Sequence, residues 1–182
     1  MSTSFSRRSV LASSLVVATT GLTAKAAAQD LQTSQPNRSS DVAPKEADFV
    51  YSYRRTQAQW REQLSGIEYV ILREGETEPK KFSPLWEEMR EGTYRCKGCD
   101  LLIYTSDYKV KLNKGWTFFR QSEPDSVLMG IDLVTEYGGK EKNGSAIEVH
   151  CRRCGSHFGH MLYIKREILH CINGTSLSFQ AA

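Results

Sequence analysis

Four of the five cysteines in this 182-residue chain form two Cys-x-x-Cys pairs, Cys96-Lys97-Gly98-Cys99 and Cys151-Arg152-Arg153-Cys154. That spacing lets both thiolates of a tight turn reach one tetrahedral ion at a metal–sulfur distance of about 2.3 Å. Two such pairs make a closed four-ligand set, for which zinc is the expected ion. The 51 residues between Cys99 and Cys151 are too many for a simple finger, so a sheet has to bring the two turns together. Three other uses compete: two redox dithiols, two disulfides, or an iron–sulfur cluster. A thioredoxin-type dithiol needs a strand-to-helix setting that neither pair has, and a disulfide across three residues closes a very small, strained loop. A zinc site with four cysteine ligands has no open coordination position, which makes it structural and places any chemistry elsewhere.

The pattern around the cysteines predicts strands. Short alternating or β-branched runs cover Leu101 to Tyr104, Trp116 to Phe119, Val127 to Val134, Ala146 to His150 and Met161 to Ile172. Turn signals separate them at Asn113-Lys114-Gly115, Gly138-Gly139 and Lys142-Asn143-Gly144. Ahead of the strands, Tyr53 to Leu64 lacks Gly and Pro and puts Trp60 four residues before Leu64, a short helix packed by one edge and stopped at Gly66. Ser83-Pro84 predicts a second, two-turn helix closed by Gly92. The expected fold is mainly β and antiparallel, with short peripheral N-terminal helices and no internal repeat.

The N-terminus carries Ser6-Arg7-Arg8-Ser9-Val10-Leu11, an apolar small-residue stretch to about Thr23, and Ala26-Ala27-Ala28. This three-part pattern predicts a twin-arginine export signal over residues 1–28, cleaved after Ala28, and hence a periplasmic or otherwise exported protein. The apolar stretch is too short to span a bilayer stably, so no membrane span is expected after cleavage. Residues 29–48 read as a polar linker and 49–182 as a single domain, expected to be a monomer. The formal charge of +3 comes from Arg7, Arg8 and Lys25 of the signal, which leaves the remainder neutral and without the electrostatic footprint of a nucleic-acid binder.

Cys171 is the cysteine left over once the four ligands are assigned. An unpaired cysteine in an exported protein is either buried and inert or reactive. Here His157-Phe158-Gly159-His160 follows the second pair directly, and Cys171 returns on the next expected strand. A nearby imidazole can lower a thiol pKa or deliver a proton to a leaving oxygen, although histidines satisfied by backbone would also fit this pattern.

Several separated motifs also resemble one family. Gly75-Glu76-Thr77-Glu78-Pro79 with Phe82-Ser83, Gly92-Thr93-Tyr94-Arg95-Cys96, Gly115-Trp116, the run from Cys151 to His160, and Cys171-Ile172-Asn173 with Ser176-Leu177-Ser178-Phe179 occur in the order found in B-type methionine sulfoxide reductases. The resemblance runs from about Trp60 to Phe179. It implies two antiparallel sheets with a four-cysteine zinc site beside the core, and thiol-dependent reduction of methionine-R-sulfoxide in oxidised proteins through a cysteine sulfenic acid. It further implies Cys171 as nucleophile, Trp116 as the wall against the substrate methyl, His157 and His160 as the polar side of the pocket, and Asn173 as a hydrogen-bonding support.

The chain departs from the family at four places. Lys114 stands where many members carry a resolving cysteine, Leu169 where an arginine precedes the nucleophile, and Thr117-Phe118 where a proline-serine pair follows the tryptophan. The segment from Leu162 to Ile168 is shorter than the family's loop. Without a resolving cysteine, the sulfenic acid has to be reduced by an external thiol, either a thioredoxin-fold partner or a small thiol. Arg166 is a candidate replacement for the missing arginine. The alternative reading is a non-catalytic or altered-specificity member that binds a partner or another sulfoxide.

Overall fold

The computed structural model describes residues 49–134 and 144–182. The expected export signal, the linker, and the turn signals at Gly138-Gly139 and Lys142-Asn143 lie outside these residues. Two helices open the described chain, and each begins with a reciprocal capping box. Thr56 and Gln59 cap α1 (Gln57–Gln63), and Ser65 and Glu68 cap α2 (Gly66–Glu74). The expected helix after Tyr53 is present and buries Trp60, but Gly66 does not simply end it. Ser65-x-x-Glu68 starts a second helix at that glycine, whose own end is set by Gly75 in the left-handed region at φ 82. The expected two-turn helix after Ser83 is a single 3-10 turn, Pro84–Trp86. Gly92 does not close it but opens the first strand.

Among the described residues, nine strands form two antiparallel sheets. The smaller has the order β2 (Leu102–Thr105), β1 (Gly92–Cys96), β9 (Leu177–Ala181). The larger has the order β3 (Lys109–Val110), β4 (Thr117–Phe119), β8 (Glu167–Ile172), β7 (His157–Ile164), β6 (Gly144–Cys151), β5 (Val127–Val134). The run expected from Met161 to Ile172 is therefore two strands. Lys165 and Arg166 take φ of 52° and 71° at the tip of the β7–β8 hairpin, the backbone of a two-residue turn usually built with Asn-Gly. No helix among the described residues is long and apolar enough to cross a membrane.

The sheets pack through aromatic rings. Tyr104 of the small sheet stacks on Phe119 of the large one at 4.0 Å, and Tyr94 meets Phe119 edge-on at 5.0 Å. Phe119 pairs with His170, whose Nδ1 shares a 3.1 Å hydrogen bond with the Tyr104 hydroxyl. Side chains alternate along a strand, so the inner face of β8 carries His170 and Ile172 while Leu169 and Cys171 point to the opposite face. On that second face Leu112 and Trp116 pack against Phe118, Leu169 and Cys171.

Candidate active site and metal centre

Cys96 ends β1 and Cys151 ends β6, so one cysteine turn leaves each sheet. The turns are built alike. Asp100 N–H donates to Cys96 O and Gly155 N–H to Cys151 O, both at 2.8 Å, with Asp100 and Gly155 in the left-handed region. The four sulfurs lie within 4.8 Å of one another, at 3.7 Å for Cys96–Cys154 and 3.6 Å for Cys99–Cys151. These separations are far too long for disulfides and close to the roughly 3.8 Å edge of a tetrahedron with metal–sulfur bonds of about 2.3 Å. The geometry fits one metal ion. The helices cover this centre: Arg73 lies 4.5 Å over the Trp60 ring and donates to Cys154 O, and Gln63 donates to Gly98 O.

A single row of residues crosses the outer face of the large sheet. Val110, Phe118, Cys171, His160, Glu148 and Gly130 are successive cross-strand partners. Direct neighbours in such a row have Cβ atoms about 4.5–5.5 Å apart, which puts the His160 imidazole beside the Cys171 thiol. Strict alternation would send His157 and His160 to opposite faces. A bulge in β7 opposite Val149/His150 cancels one step, and the two rings meet at 5.2 Å. Gly159 permits this. Its φ is 151°, and a Cβ there would stand 2.1 Å from Cys171 O.

The charges at the site are placed by burial and hydrogen bonds. His157 Nδ1 donates to Glu148 Oε1 at 2.7 Å, and His160 Nε2 meets Asp132 Oδ2 at 3.0 Å. Glu148 and both imidazoles are almost fully buried. Apolar and polar residues alternate in Ile147-Glu148-Val149-His150, a pattern that ordinarily buries the apolar side chains and exposes the polar ones. Instead Glu148, Val149 and His150 are all buried and Ile147 is about half exposed. Glu148 was thus missed as a site residue, because the imidazoles that justify its burial lie on the neighbouring strand.

A second acid organises the other side. The buried carboxylate of Glu78 accepts from Gly174 N–H, Thr175 N–H and the Thr175 hydroxyl. Its backbone N–H donates to Asn173 Oδ1 at 3.0 Å, and its carbonyl accepts from Trp116 Nε1 at 3.1 Å. Trp116 packs against the cluster of Phe118, Leu169 and Cys171. Glu78 therefore ties Trp116 and Asn173 to one loop. In the sequence it belonged to a motif but carried no role.

The structure brings Cys171, His157, His160, Trp116 and Asn173 into one region. Leu169, at the position of the missing arginine, is buried in the apolar cluster beside Cys171. Arg166 does not replace that charge. It sits at the hairpin tip five residues from Cys171, about 16 Å along an extended strand. The cation that Cys171 senses is Lys114. Burial pushes the thiol up to about 12, the charge of Glu78 adds to the rise, and Lys114 opposes it.

Cys171 is thus protonated at neutral pH in the resting protein. Below its pKa the thiolate fraction grows tenfold per pH unit, so alkylation of Cys171 by iodoacetamide is expected to rise about tenfold per unit from pH 7 to 10. At fixed pH, Glu78→Gln removes a negative charge and speeds the reaction, whereas Lys114→Met slows it, each by roughly three- to tenfold. A plateau below pH 9, or both variants shifting the rate in the same direction, would contradict this electrostatic arrangement.

The SelR domain family matches residues 64–181, a span that holds both cysteine pairs, the row across the large sheet and the Glu78 loop. Among curated relatives, the peptide methionine sulfoxide reductase MsrB of Agrobacterium fabrum is 34% identical over 130 residues, covering 69% of this chain and 91% of that protein. The protein of the same name from Leptospira interrogans is 30% identical over 137 residues, 71% of this chain and 97% of the relative. Peptide methionine sulfoxide reductase B7 of Arabidopsis thaliana is 29% identical over 136 residues, 72% and 88% of the two chains.

Proposed function

Because this chain belongs to the SelR family of B-type methionine sulfoxide reductases, we propose that it reduces methionine-R-sulfoxide in oxidised proteins with Cys171 as the attacking thiol. The observation that carries the assignment of Cys171 is its register. It faces His160 directly, on the face that also holds His157, Glu148 and the Trp116 wall.

The Cys171 sulfur attacks the electrophilic sulfur of the sulfoxide and takes its oxygen, releasing methionine and leaving a sulfenic acid. A thiol plus a sulfoxide gives a sulfenic acid plus a thioether with no net gain or loss of protons. The elevated thiol pKa requires deprotonation to be coupled to attack, and an imidazole that takes the thiol proton and delivers it to the departing oxygen supplies that coupling. His160 stands closest in register to do this, with His157 held behind it by Glu148. Trp116 offers an apolar wall to the methyl–sulfur end. The four other cysteines are committed to the metal centre, so the sulfenic acid is reduced from outside. One external thiol forms a mixed disulfide and releases water, and a second frees Cys171. The donor is a thioredoxin-fold protein or a small thiol.

Zinc is the ion that suits four thiolates in a closed tetrahedron. Held by Cys96, Cys99, Cys151 and Cys154, it would supply structural cross-linking and no open position for substrate. The Arg7-Arg8 signal supports export by the twin-arginine route, with residues 29–48 as linker and a single domain beyond them. That pathway accepts folded, metal-loaded proteins.

The test is a single turnover of the metal-loaded protein with separated R and S epimers of a methionine sulfoxide peptide and no added reductant. About one equivalent of methionine per Cys171 is expected from the R epimer and none from the S epimer. No methionine from either, with the fold intact, would sink the reductase reading in favour of a non-catalytic binding role.

A further inference from the structure

A cavity of about 340 Å³ lies between the Pro84–Trp86 turn and the segment 111–113, lined by Trp86, Glu87, Lys111, Leu112 and Asn113. Nothing in the chemistry described so far uses it. Three observations join it to the site of Cys171. Leu112 lines the cavity and also packs against the cluster of Phe118, Leu169 and Cys171. Consecutive lysines reach one to each tryptophan: Lys80 Nζ is 5.4 Å from the Trp116 ring centre and Lys81 Nζ is 5.3 Å from that of Trp86. The turn bearing Trp86 is seated on the residue that follows Asn173, since a Cβ on Gly174 would stand 2.4 Å from Ser83 Oγ.

The backbone holds this arrangement in place. Lys81 adopts a φ of 64°, which a lysine rarely takes, and its N–H donates to Gly115 O at 2.8 Å. Strain of this kind persists only where the surroundings enforce it. Here it divides two adjacent side chains between two aromatic platforms.

We propose that this cavity is a subsite for an apolar or aromatic side chain flanking the oxidised methionine in a polypeptide substrate. The proposal rests on the reductase reading above. Trp86 and Leu112 supply the apolar walls. Glu87, Lys111 and Asn113 supply donors and acceptors for a main chain crossing the rim. An extended peptide advances about 3.3 Å per residue, so a residue one to three positions from the sulfoxide spans the distance between neighbouring pockets that share a wall. A free amino acid places nothing there.

The experiment measures kcat/KM for R-sulfoxide peptides in which one phenylalanine is walked through the three positions on either side of the oxidised methionine. An all-glycine peptide and a blocked single residue serve as references. At the favoured position phenylalanine is expected to raise kcat/KM about tenfold over glycine, the discrimination typical of a hydrophobic pocket. Trp86→Ala should bring that ratio close to one, and Trp86→Phe should retain most of it. Equal rates for all peptides in the wild-type protein, or a preference that survives Trp86→Ala, overturns the subsite. The blocked residue has no neighbours to fill the cavity and reports on the chemistry alone. Failure of the blocked residue and of every peptide to react would sink both readings, whereas reaction of the peptides without a phenylalanine preference sinks only this one.

Discussion

Replacing Cys171 with serine is expected to abolish methionine formation from methionine-R-sulfoxide while the domain stays folded and its four-cysteine centre intact. A hydroxyl is a far weaker nucleophile towards sulfur and cannot end as a sulfenic acid, so no alternative product accumulates. The cost to the fold is small. Cys171 belongs to a small satellite cluster with Phe118 and Leu169, separate from the main core. A buried hydroxyl in its place costs about 1–3 kcal/mol if unpaired, roughly 5–15 °C in the melting temperature of a domain this size. Cys171→Ala keeps the site apolar and separates loss of the nucleophile from introduction of a polar atom. Methionine release by chromatography, metal content and a thermal melt on each variant decide the matter. Residual turnover by either folded variant above the uncatalysed background would remove Cys171 from the mechanism.

Withdrawing the ion proposed for the four-cysteine centre is the second large perturbation. The four sulfurs join the end of β1 to the end of β6, and the helices rest on the same turns through Arg73, Trp60 and Gln63. Structural zinc contributes about 10–16 kcal/mol in small thiolate sites, while an entire domain is stable by about 5–15 kcal/mol. Chelation under reducing conditions, or Cys154→Ser, is therefore expected to unfold the domain at ambient temperature. Circular dichroism should show loss of the aromatic signal to which the buried Trp60 contributes. Activity should disappear with it, because His157 and His160 follow Cys154 by only three and six residues. A metal-free protein, verified by elemental analysis, that melts within a few degrees of the loaded form would show that the sheets hold the turns together without an ion.

Local signals predicted the local outcomes well. The two Cys-x-x-Cys spacings pointed to one four-sulfur cluster, and the cysteines do converge. The run Val127 to Val134 is a strand over those residues, while Ser83-Pro84 opens one 3-10 turn in place of the expected two-turn helix. Signals equally local but less conspicuous are overridden by their neighbours. Ser65-x-x-Glu68 is a complete capping box, yet Gly66 suggested an end where a helix begins. Lys165-Arg166 makes a two-residue hairpin turn without glycine or asparagine, which merged two strands into one expected run. The edge strand β3 is only two residues long, too short for periodicity to register.

The site divides in the same way. Residue identity alone singled out Cys171 by counting cysteines, and the spacing of His157 and His160 from the second cysteine pair marked them as candidates. Sequence determined which groups could do chemistry, because thiols and imidazoles are few and their reactivity is intrinsic. Tertiary structure decided which of them meet. Cross-strand register put His160 opposite Cys171, a bulge at Gly159 turned His157 to the same face, and pairing across β6 buried Glu148 against it. The charge environment of the thiol was likewise set by Glu78 and Lys114, residues 93 and 57 positions away in the chain. Register and burial depend on contacts between segments distant in sequence, and a one-residue slip in any strand would send these side chains to the other face.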